Sequence, residues 1–325
     1  MKVLVTGGTG FLGSHLVDAL IKKSYSVKCL VRNPNNPRWL NNIKCEVVKG
    51  DCVSKECLYN IVSDVDYVFH LAGLVRAKNT KELAKTNADG TKNLIEAVFE
   101  KNRNVKKFVY VSSQAAAGPS VNKKPKIESE TPNPVSEYGR SKLFGEIETL
   151  KFKDKLPVVI LRPPAIYGPR DKDVFVFFEQ VKKGLFFLPQ KEKLINICYV
   201  SDIVDGIISA AESENTKGQT YFIGDDTIYS WQNLGEILIK IINPKTKVLK
   251  LPKFVFYVSA FFSEIFSKIK NEPALISFDK LNEIKQDSWL FSTEKAKKDF
   301  KYNPKISLEE GIKITYNWYL YNNWL

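Results

Sequence analysis

A glycine-rich turn between an apolar segment and an amphipathic segment opens the chain and constrains its fold more than any other feature. Residues 3–5 are apolar, which predicts a buried strand, and apolar residues recur at helical spacing from Leu12 onward. Between them, Gly8, Gly10 and Gly13 form the spacing G-x-G-x-x-G. In a strand–turn–helix unit these glycines allow a tight turn and close approach of a pyrophosphate to the helix N-terminus. The segment therefore predicts a dinucleotide-binding site.

The first half of the chain alternates short apolar runs with helical patterns. The apolar runs predict buried strands at residues 3–5, 27–31, 45–48, 67–70, 108–111 and 158–161. The helical patterns lie near residues 12–23, 54–63, 81–101 and 138–153. This alternation predicts an α/β fold with a Rossmann-type doubly wound parallel sheet and helices on both faces.

Beyond residue 161 the alternation loosens, which predicts a second and smaller lobe. Helical patterns occur near residues 173–183, 230–242 and 254–269, and residues 201–211 predict a helix that packs back on the sheet. We expect an NAD(P)-binding Rossmann domain at residues 1–165, with residues 201–223 packing back on it. The discontinuous α/β substrate lobe is expected at residues 166–200 and 224–325.

The charge of the chain favours small anionic ligands. Its 325 residues include 49 Lys and Arg against 36 Asp and Glu, which gives a formal net charge of +13. The basic residues are scattered, with no more than two adjacent in the chain. This pattern disfavours a nucleic-acid partner and favours a general attraction for anionic cofactors and substrates.

The cysteines and the chain ends predict a cytoplasmic protein. The five cysteines include no C-x-x-C pair, which argues against a metal site, and their odd number indicates reduced thiols. The first predicted strand begins directly after Met1, and so no targeting segment is expected. No apolar run reaches the roughly 18 residues of a transmembrane segment.

Tyr138 and Lys142 stand four residues apart in a predicted helix and therefore lie on one face of it. A nearby ammonium favours the phenolate and lowers the phenol pKa from about 10 toward neutrality. A phenol of this kind acts as a general acid or base at an alcohol oxygen. Ser113, which follows the strand at 108–111, is placed to hydrogen-bond the same oxygen. The Tyr–Lys pattern alone also fits an ordinary solvated helix surface.

The end of the second predicted strand bears on cofactor choice. An NAD site usually places an acidic residue here, whereas an arginine suits the 2′-phosphate of NADP. This chain has Val31 and then Arg32. NADP(H) is therefore favoured and NAD(H) is the alternative. The alternative interpretation is that Arg32 only points to solvent and does not contact the cofactor.

With the glycine turn, Ser113, Tyr138 and Lys142 in place, the chain resembles the extended short-chain dehydrogenase/reductases, the NAD-dependent epimerase/dehydratase family. It is also similar to the 3-beta-hydroxysteroid-dehydrogenase-like and dihydroflavonol-reductase-like branches. The resemblance covers essentially the whole chain. The further matching segments are residues 50–52, 69–73, 87–91, 161–168, 199–202 and 307–311.

The resemblance implies a role for each catalytic residue. Tyr138 is the acid/base, Lys142 holds the nicotinamide ribose and lowers the tyrosine pKa, and Ser113 orients the substrate oxygen. Asn87 supports the proton-relay end of the site, or else only caps the helix that follows it. His70 is expected to line the cofactor cleft without a chemical role.

The same resemblance implies a set of cofactor contacts and a quaternary structure. It implies a homodimer through the helices near 81–101 and 138–153. The implied cofactor-binding residues are Gly7, Gly8, Thr9, Gly10, Phe11, Leu12, Gly13, Arg32, Asp51, Cys52, Leu71, Ala72, Gly73, Asn87, Tyr138, Lys142, Pro163, Ala165 and Ile166.

Three departures from the family pattern narrow the range of possible substrates. Residues 114–117 read Gln-Ala-Ala-Ala, without the acid pair that dehydratases place after the catalytic hydroxyl residue. The arginines that clamp a sugar-nucleotide diphosphate are replaced by Ile195 and by residues 281–283, although Lys191 and Lys193 could substitute. Residues 253–269 carry an aromatic stripe at helical spacing, interpreted first as core and otherwise as a substrate wall or an interfacial face.

These observations predict an oxidoreductase that exchanges a hydride between nicotinamide C4 and a carbinol or carbonyl carbon. A ketone reductase or hydroxysteroid-dehydrogenase-like enzyme on an apolar substrate is the favoured function. A UDP-sugar 4-epimerase with tightly held NAD is the alternative. A non-catalytic dinucleotide-sensing module is a minor third interpretation, since the Tyr and Lys that such modules typically lose are both present.

Overall fold

The structure is a computed structural model that describes residues 1–41, 43–270, 272–274 and 277–325. The strands are β1 (Lys2–Thr6), β2 (Ser26–Val31), β3 (Glu46–Lys49), β4 (Tyr67–His70), β5 (Lys107–Val111), β6 (Val158–Arg162), β7 (Ala165–Tyr167), β8 (Leu185–Pro189), β9 (Leu194–Ile195), β10 (Ile197–Tyr199), β11 (Gln219–Phe222), β12 (Tyr229–Ser230), β13 (Lys247–Leu251) and β14 (Ser288–Trp289).

The helices occupy most of the segments between these strands. They are α1 (Phe11–Lys22), α2 (Tyr59–Val62), α3 (Thr80–Leu83), α4 (Gly90–Lys101), α5 (Gln114–Ala117), α6 (Glu137–Leu150), α7 (Phe175–Lys182), α8 (Val200–Glu212), α9 (Trp231–Ile242), α10 (Lys253–Lys270), α11 (Phe278–Ile284), α12 (Glu294–Phe300) and α13 (Leu308–Tyr321). A π-helical segment, Ala84–Asp89, joins α3 to α4. Turns of 3₁₀ helix lie at Arg38–Leu40, Glu56–Leu58 and Glu214–Thr216.

A seven-stranded parallel sheet forms the centre of the molecule. Its strand order is β11-β6-β5-β4-β1-β2-β3, and every neighbouring pair is parallel. The order therefore reverses between β1 and β4, which is the switch point of a doubly wound sheet. The predicted Rossmann-type fold is confirmed, and the six strands predicted from apolar runs are six of its seven strands.

The sheet is buried on both faces because its strands are apolar at successive positions. Val3 and Val5 of β1 face the layer that contains α1 and α8, whereas Leu4 faces the layer that contains α2 and α4. Alternation of this kind follows from the two-residue period of a strand. All three side chains are fully buried, and a parallel sheet covered by helices requires such runs.

The remaining elements form small sheets and a separate apolar cluster. The small sheets pair β7 with β10, β8 with β13, and β9 with both β12 and β14. Most of the aromatic residues near the C-terminus belong to this cluster and not to the core of the main sheet. Tyr319 packs in this cluster with α7, where its ring lies 5.0 Å from that of Phe175 and stacks on Trp324 at 5.4 Å.

The aromatic stripe of residues 253–269 forms α10, as the periodicity predicts, but its interpretation as core is wrong. Most of its large apolar side chains are exposed, Val255 and Phe256 are half-buried, and Ala260 is the buried residue of the helix among those described. None of the helices within the described ranges is both long and apolar enough to cross a membrane.

Candidate active site

The predicted site residues follow the carboxyl ends of parallel strands. The glycine turn follows β1, Arg32 follows β2, residues 71–73 follow β4, Ser113 follows β5 and Pro163 follows β6. Because parallel strands end at the same edge of a sheet, these segments border one crevice. In open α/β sheets this edge is where ligands bind.

The glycine turn makes a cradle that side chains would fill. A Cβ atom built on Gly13 would lie 2.1 Å from the carbonyl oxygen of Gly7, which is far inside contact distance. Gly10 is the N-cap of α1 and has no side chain to satisfy the first amides of the helix. The first backbone amides of a helix have no partner within the helix, and together with the positive end of the helix dipole they can bind a pyrophosphate. The turn therefore fits the dinucleotide that the sequence predicts.

Arg32, Asp51 and Cys52 lie together at the other end of the predicted cofactor cleft. Burial, followed by the charge of Asp51, raises the pKa of the Cys52 thiol to about 12. Gly50 N donates to Val31 O at 3.1 Å, which brings the segment that carries Asp51 and Cys52 beside the exposed Arg32, and the charge of Arg32 acts to lower the pKa of the same thiol. The predicted contacts of these residues with the adenosine stay predictions.

His70 joins two strands and a helix in a fully buried polar chain. Its Nδ1 lies 2.7 Å from Thr6 Oγ1, and its Nε2 lies 2.9 Å from Thr91 Oγ1. Thr6 Oγ1 also accepts a hydrogen bond from the backbone N–H of Ala72 at 3.2 Å. Burial, with the charge of Lys142 added, lowers the pKa of His70 to about 3. The ring is therefore neutral and supports the loop at residues 71–73 from behind.

We expect His70 to make the protein sensitive to mild acid. A folded-state pKa of about 3 against an unfolded value of about 6.5 means that the unfolded chain binds more protons between these pH values, and stability falls as pH drops. From pH 7 to pH 5 the wild type should lose about 2 kcal/mol more unfolding free energy than His70→Gln. Urea titrations at both pH values measure this difference. Equal losses would show that His70 does not titrate in this way.

Asn87 is buried and uses its whole side chain to hold the loop after β4. Its Nδ2 donates to Leu74 O at 2.9 Å and to Ser141 Oγ at 2.8 Å, and its Oδ1 accepts from Leu74 N at 2.7 Å. The alternative role as a helix cap is wrong, because Asp89 is the N-cap of α4 and Asn87 lies within the π-helical segment. π-Helical turns are frequent at functional sites. The proton-relay role of Asn87 stays a prediction.

A close approach of α6 to α5 brings Tyr138 to Ser113. A Cβ atom on Gly139 would lie 2.4 Å from Ala115 O, so the two helices could not approach as they do with a larger residue. Ser136 caps α6 by accepting from Gly139 N at 3.0 Å. Ser113 caps α5 by accepting from Ala115 N at 3.1 Å, and its hydroxyl is near enough to the Tyr138 phenol to act on the phenol pKa. The joint role of Tyr138 and Ser113 at a substrate oxygen stays a prediction.

The phenol of Tyr138 is a weaker acid than the sequence predicts. Burial raises its pKa to about 12, the hydrogen bond with Ser113 acts to lower it, and the charge of Glu283 acts to raise it. Lys142 is not among the groups that shift this pKa within the described part of the chain. The expected lowering by Lys142 is therefore wrong for this structure, and the phenol is protonated at neutral pH.

Lys142 points to the end of β5. Its Nζ donates to Val111 O at 2.7 Å and lies 4.4 Å from the centre of the Tyr110 ring. Burial lowers the pKa of Lys142 to about 7, and the charge of Glu146 opposes this shift. Tyr138 and Lys142 lie four residues apart in α6, as the sequence predicts. The hydrogen-bond partner of the Lys142 ammonium is the carbonyl of Val111 at the end of β5.

Glu283 is a buried residue near the site that sequence reasoning did not assign. Its Oε1 accepts from Ser136 Oγ at 2.5 Å, and its Oε2 pairs with Lys280 at 2.5 Å. The neighbouring Asp279 accepts from Glu137 N at 2.8 Å, so α11 packs against the start of α6. The family resemblance marks residues 281–283 only as the position where an arginine is missing. No local sequence pattern predicts that Glu283 contacts α6.

A buried ion pair fixes α6 to β6 behind the site. Arg162 Nε donates to Glu146 Oε1 at 2.9 Å, and Arg162 Nη2 donates to Glu146 Oε2 at 2.6 Å. Ser112 Oγ donates to the same carboxylate at 2.6 Å. Both charged residues are almost fully buried. The helix that carries Tyr138 is therefore anchored to two strands of the sheet.

The segment after β6 borders the same crevice. Gln114 N donates to Pro163 O at 2.8 Å, which links the residue after Ser113 to this segment. Ala165 is exposed and Ile166 is half-buried at the start of β7. Their predicted contact with the nicotinamide carboxamide stays a prediction.

Residues 3–224 match the model of the NAD dependent epimerase/dehydratase family. The chain belongs to this family. It is therefore an extended short-chain dehydrogenase/reductase and an enzyme of the NAD-dependent oxidoreductase, epimerase and dehydratase class.

Two relatives of the chain are similar in sequence and one in structure. The chain is 27% identical to the ceramide reductase of Caulobacter vibrioides, covering 99% of this chain and 96% of the relative. It is 28% identical to the decarboxylating sterol-4-alpha-carboxylate 3-dehydrogenase of Mus musculus, covering 97% and 90%. The crystal structure of a UDP-glucuronic acid 4-epimerase from Bacillus cereus in complex with NAD superposes with a TM-score of 0.77 at 25% identity, covering 98% and 96%.

The two lysines that could replace the family's diphosphate-clamping arginines are engaged elsewhere. Lys193 is buried, and its Nζ donates to Lys285 O and to Gln286 O, both at 2.7 Å. Lys191 pairs with Asp287 at 2.5 Å. Ile195 lies in β9 and supplies no charge.

Proposed function

We propose that this enzyme is a ketone reductase or hydroxysteroid-dehydrogenase-like enzyme that acts on an apolar substrate. The observation that carries the proposal is that the two lysines available for a substrate diphosphate have other partners: Lys193 Nζ donates to Lys285 O and Gln286 O, and Lys191 pairs with Asp287. Glu283, buried near the start of α6, is a carboxylate paired with Lys280 and supplies no positive charge for a substrate diphosphate. The engaged Lys191 and Lys193 leave that diphosphate without an evident partner, whereas an apolar substrate needs none.

The mechanism assigns one task to each residue beside the reacting oxygen. A bound nicotinamide supplies or accepts the hydride. The Tyr138 phenol, protonated at neutral pH, donates its proton to the carbonyl oxygen in the reductive direction. Ser113 holds the same oxygen by a hydrogen bond. Asn87 keeps the loop before the site in place through its bonds to Leu74.

The residues that would hold the dinucleotide follow from the cradle geometry. The amides at the start of α1 and the glycine turn would take the pyrophosphate. Lys142 would take the nicotinamide ribose, and Asp51 and Cys52 would flank the adenine. Leu71 to Gly73 and Pro163 to Ile166 would line the two sides of the cleft.

The relatives support an apolar substrate. The names of the Caulobacter and mouse proteins describe a ceramide and a sterol carboxylate as their substrates, and both relatives align over nearly the whole chain. The alternative, a UDP-sugar 4-epimerase that retains NAD, is favoured by the similarity to the Bacillus cereus epimerase. Reductase and epimerase differ in whether the cofactor leaves after each turnover.

A substrate panel separates the two functions. Purified protein should oxidise NADPH or NADH in the presence of long-chain or steroidal ketones, and it should not interconvert UDP-sugars when no cofactor is added. Tyr138→Phe serves as the matched protein control for the ketone reaction. UDP-sugar interconversion without added cofactor would replace the reductase proposal with the epimerase.

We propose that NADP(H) is the preferred cofactor because Arg32 follows β2 and lies next to the segment that carries Asp51 and Cys52. Arg32→Ala should lose roughly 10- to 100-fold in NADPH affinity, the value of one charge-assisted hydrogen bond, and should keep its NADH affinity. Fluorescence titrations with both cofactors measure this, with the exposed Arg103→Ala as a matched control. Equal losses for both cofactors would refute the assignment.

A further inference from the structure

Helix α10 exposes a continuous apolar face. The large side chains at one face are 38–74% exposed, although they recur with the spacing of a buried amphipathic helix. They are Phe254, Tyr257, Val258, Phe261, Phe262, Ile265, Phe266 and Ile269. The preceding strand β13 adds the exposed Val248 and Leu249. A patch of this size on a folded protein marks a binding surface.

The opposite side of α10 explains why the helix forms without burying this face. Ala260 is buried there and Phe256 is half-buried, while Ser263 and Glu264 supply half-buried polar side chains. Glu264 accepts a hydrogen bond from Phe278 N at 2.8 Å, which ties α10 to α11. The helix is thus held by this narrower side, and the wider apolar face is exposed.

The exposed charges around this apolar face are mainly positive. The exposed lysines are Lys247, Lys250, Lys253, Lys270 and Lys285. Among the carboxylates of the same region, Glu283 is buried and Asp279 accepts from Glu137 N, whereas Glu272 and Asp287 are exposed, so the exposed lysines outnumber the exposed carboxylates. An apolar face bordered by lysines is complementary to a surface that is apolar within and anionic at its boundary.

A second copy of the chain fits this surface less well. Two such faces packed on each other would bring the bordering lysines of both copies together, which is unfavourable. The helix α6, which the family resemblance implies at the dimer interface, exposes its own apolar residues Phe144 and Ile147. A dimer formed there would leave α10 uncovered.

We propose that α10 and its bordering lysines form a docking surface for a lipid bilayer that contains anionic headgroups. The helix lies in the plane of the interface, with its phenylalanines among the acyl chains and its lysines at the phosphates. Because α11 connects α10 to the start of α6, docking places the cleft beside Tyr138 next to the membrane surface. A membrane-dissolved substrate then reaches the site without crossing water.

Vesicle flotation of the full chain tests this proposal without any turnover. With phosphatidylcholine vesicles containing about one-third phosphatidylglycerol, the wild type should float, and binding should weaken as salt rises. Phe261→Ser, Phe262→Ser and Phe266→Ser combined should weaken binding at least about tenfold. Ile314→Ser with Tyr321→Ser, on α13, is the control for loss of exposed apolar area away from both α10 and α6, and it should bind as the wild type.

A charge variant tests the electrostatic part. Lys250→Glu, Lys253→Glu and Lys270→Glu combined should weaken binding on the order of 100-fold. The control reverses three exposed lysines outside this surface, Lys172, Lys182 and Lys298. A control loss as large as that of the α10 set would overturn the proposal.

Three other outcomes would overturn the proposal as well. They are no flotation of the wild type, flotation unchanged by the phenylalanine variant, and a phenylalanine variant that only converts a dimer to a monomer in sedimentation. The test is independent of the proposed reaction, since a protein that floats but reduces no ketone refutes only the reductase assignment.

Discussion

Tyr138→Phe is expected to lower kcat for ketone reduction by roughly 10²- to 10⁴-fold, the contribution of a positioned general acid. The Tyr138 phenol lies beside Ser113 and is protonated at neutral pH. Without the phenol hydroxyl, the carbonyl oxygen of the substrate has no proton donor. The variant keeps the ring and therefore the packing of α6 on α5. Steady-state kinetics with the ketone identified in the substrate panel measures the loss.

The matched control for this variant is Tyr221→Phe. Tyr221 is a buried tyrosine on the edge strand β11, away from the site, and its hydroxyl donates to Asp299 at 2.8 Å. Its removal should leave kcat unchanged. Cofactor affinity of Tyr138→Phe should also stay near the wild-type value, because the cradle at the glycine turn is untouched. Full turnover by Tyr138→Phe would move the chemistry to another residue or revive the non-catalytic interpretation.

Glu146→Ala is expected to cost about 3–5 kcal/mol of unfolding free energy. It leaves the guanidinium of Arg162 buried without its carboxylate and removes the acceptor of Ser112. Glu148→Ala on the same helix is the matched control. Its pair with Lys151 is mostly exposed and should contribute less than about 1 kcal/mol. Urea unfolding at neutral pH measures both.

A double variant distinguishes the loss of the pair from the cost of the orphaned charge. Glu146→Leu with Arg162→Met removes both charges, and it should recover most of the stability that Glu146→Ala loses. If Glu146→Ala lowers the free energy of unfolding no more than Glu148→Ala does, the Glu146–Arg162 ion pair does not anchor α6. Should Glu146→Ala accumulate no folded protein, Glu146→Gln provides the same comparison with a smaller change in volume.

The parts of the fold that depend on local pattern follow from the sequence. Each of the strands β1 to β6 contains an apolar run, and in all but the edge strand β3 this run is buried because helices cover both faces of the sheet. The glycine turn is equally local, since its spacing follows from sterics within seven residues. The short helices α5, α11 and α12 span four to seven residues, too few for helical periodicity to appear.

The features that the sequence does not predict depend on long-range contacts or on side-chain direction. Glu283 reaches the start of α6 from the far end of the chain, and no spacing rule connects them. The four-residue spacing places Tyr138 and Lys142 on one face, but the lysine side chain turns to Val111. The periodicity of α10 predicts an amphipathic helix without indicating whether its apolar side faces the protein or its surroundings.

Transfer of deuterium from C4-deuterated NADPH or NADH to the substrate tests the proposed function most directly. Mass spectrometry of the alcohol formed from an apolar ketone should find one deuterium at the carbinol carbon for each cofactor oxidised. Tyr138→Phe should give the same label at a much lower rate. Interconversion of a UDP-sugar without incorporation of the label, together with an unreacted ketone, would contradict the reductase and establish the epimerase.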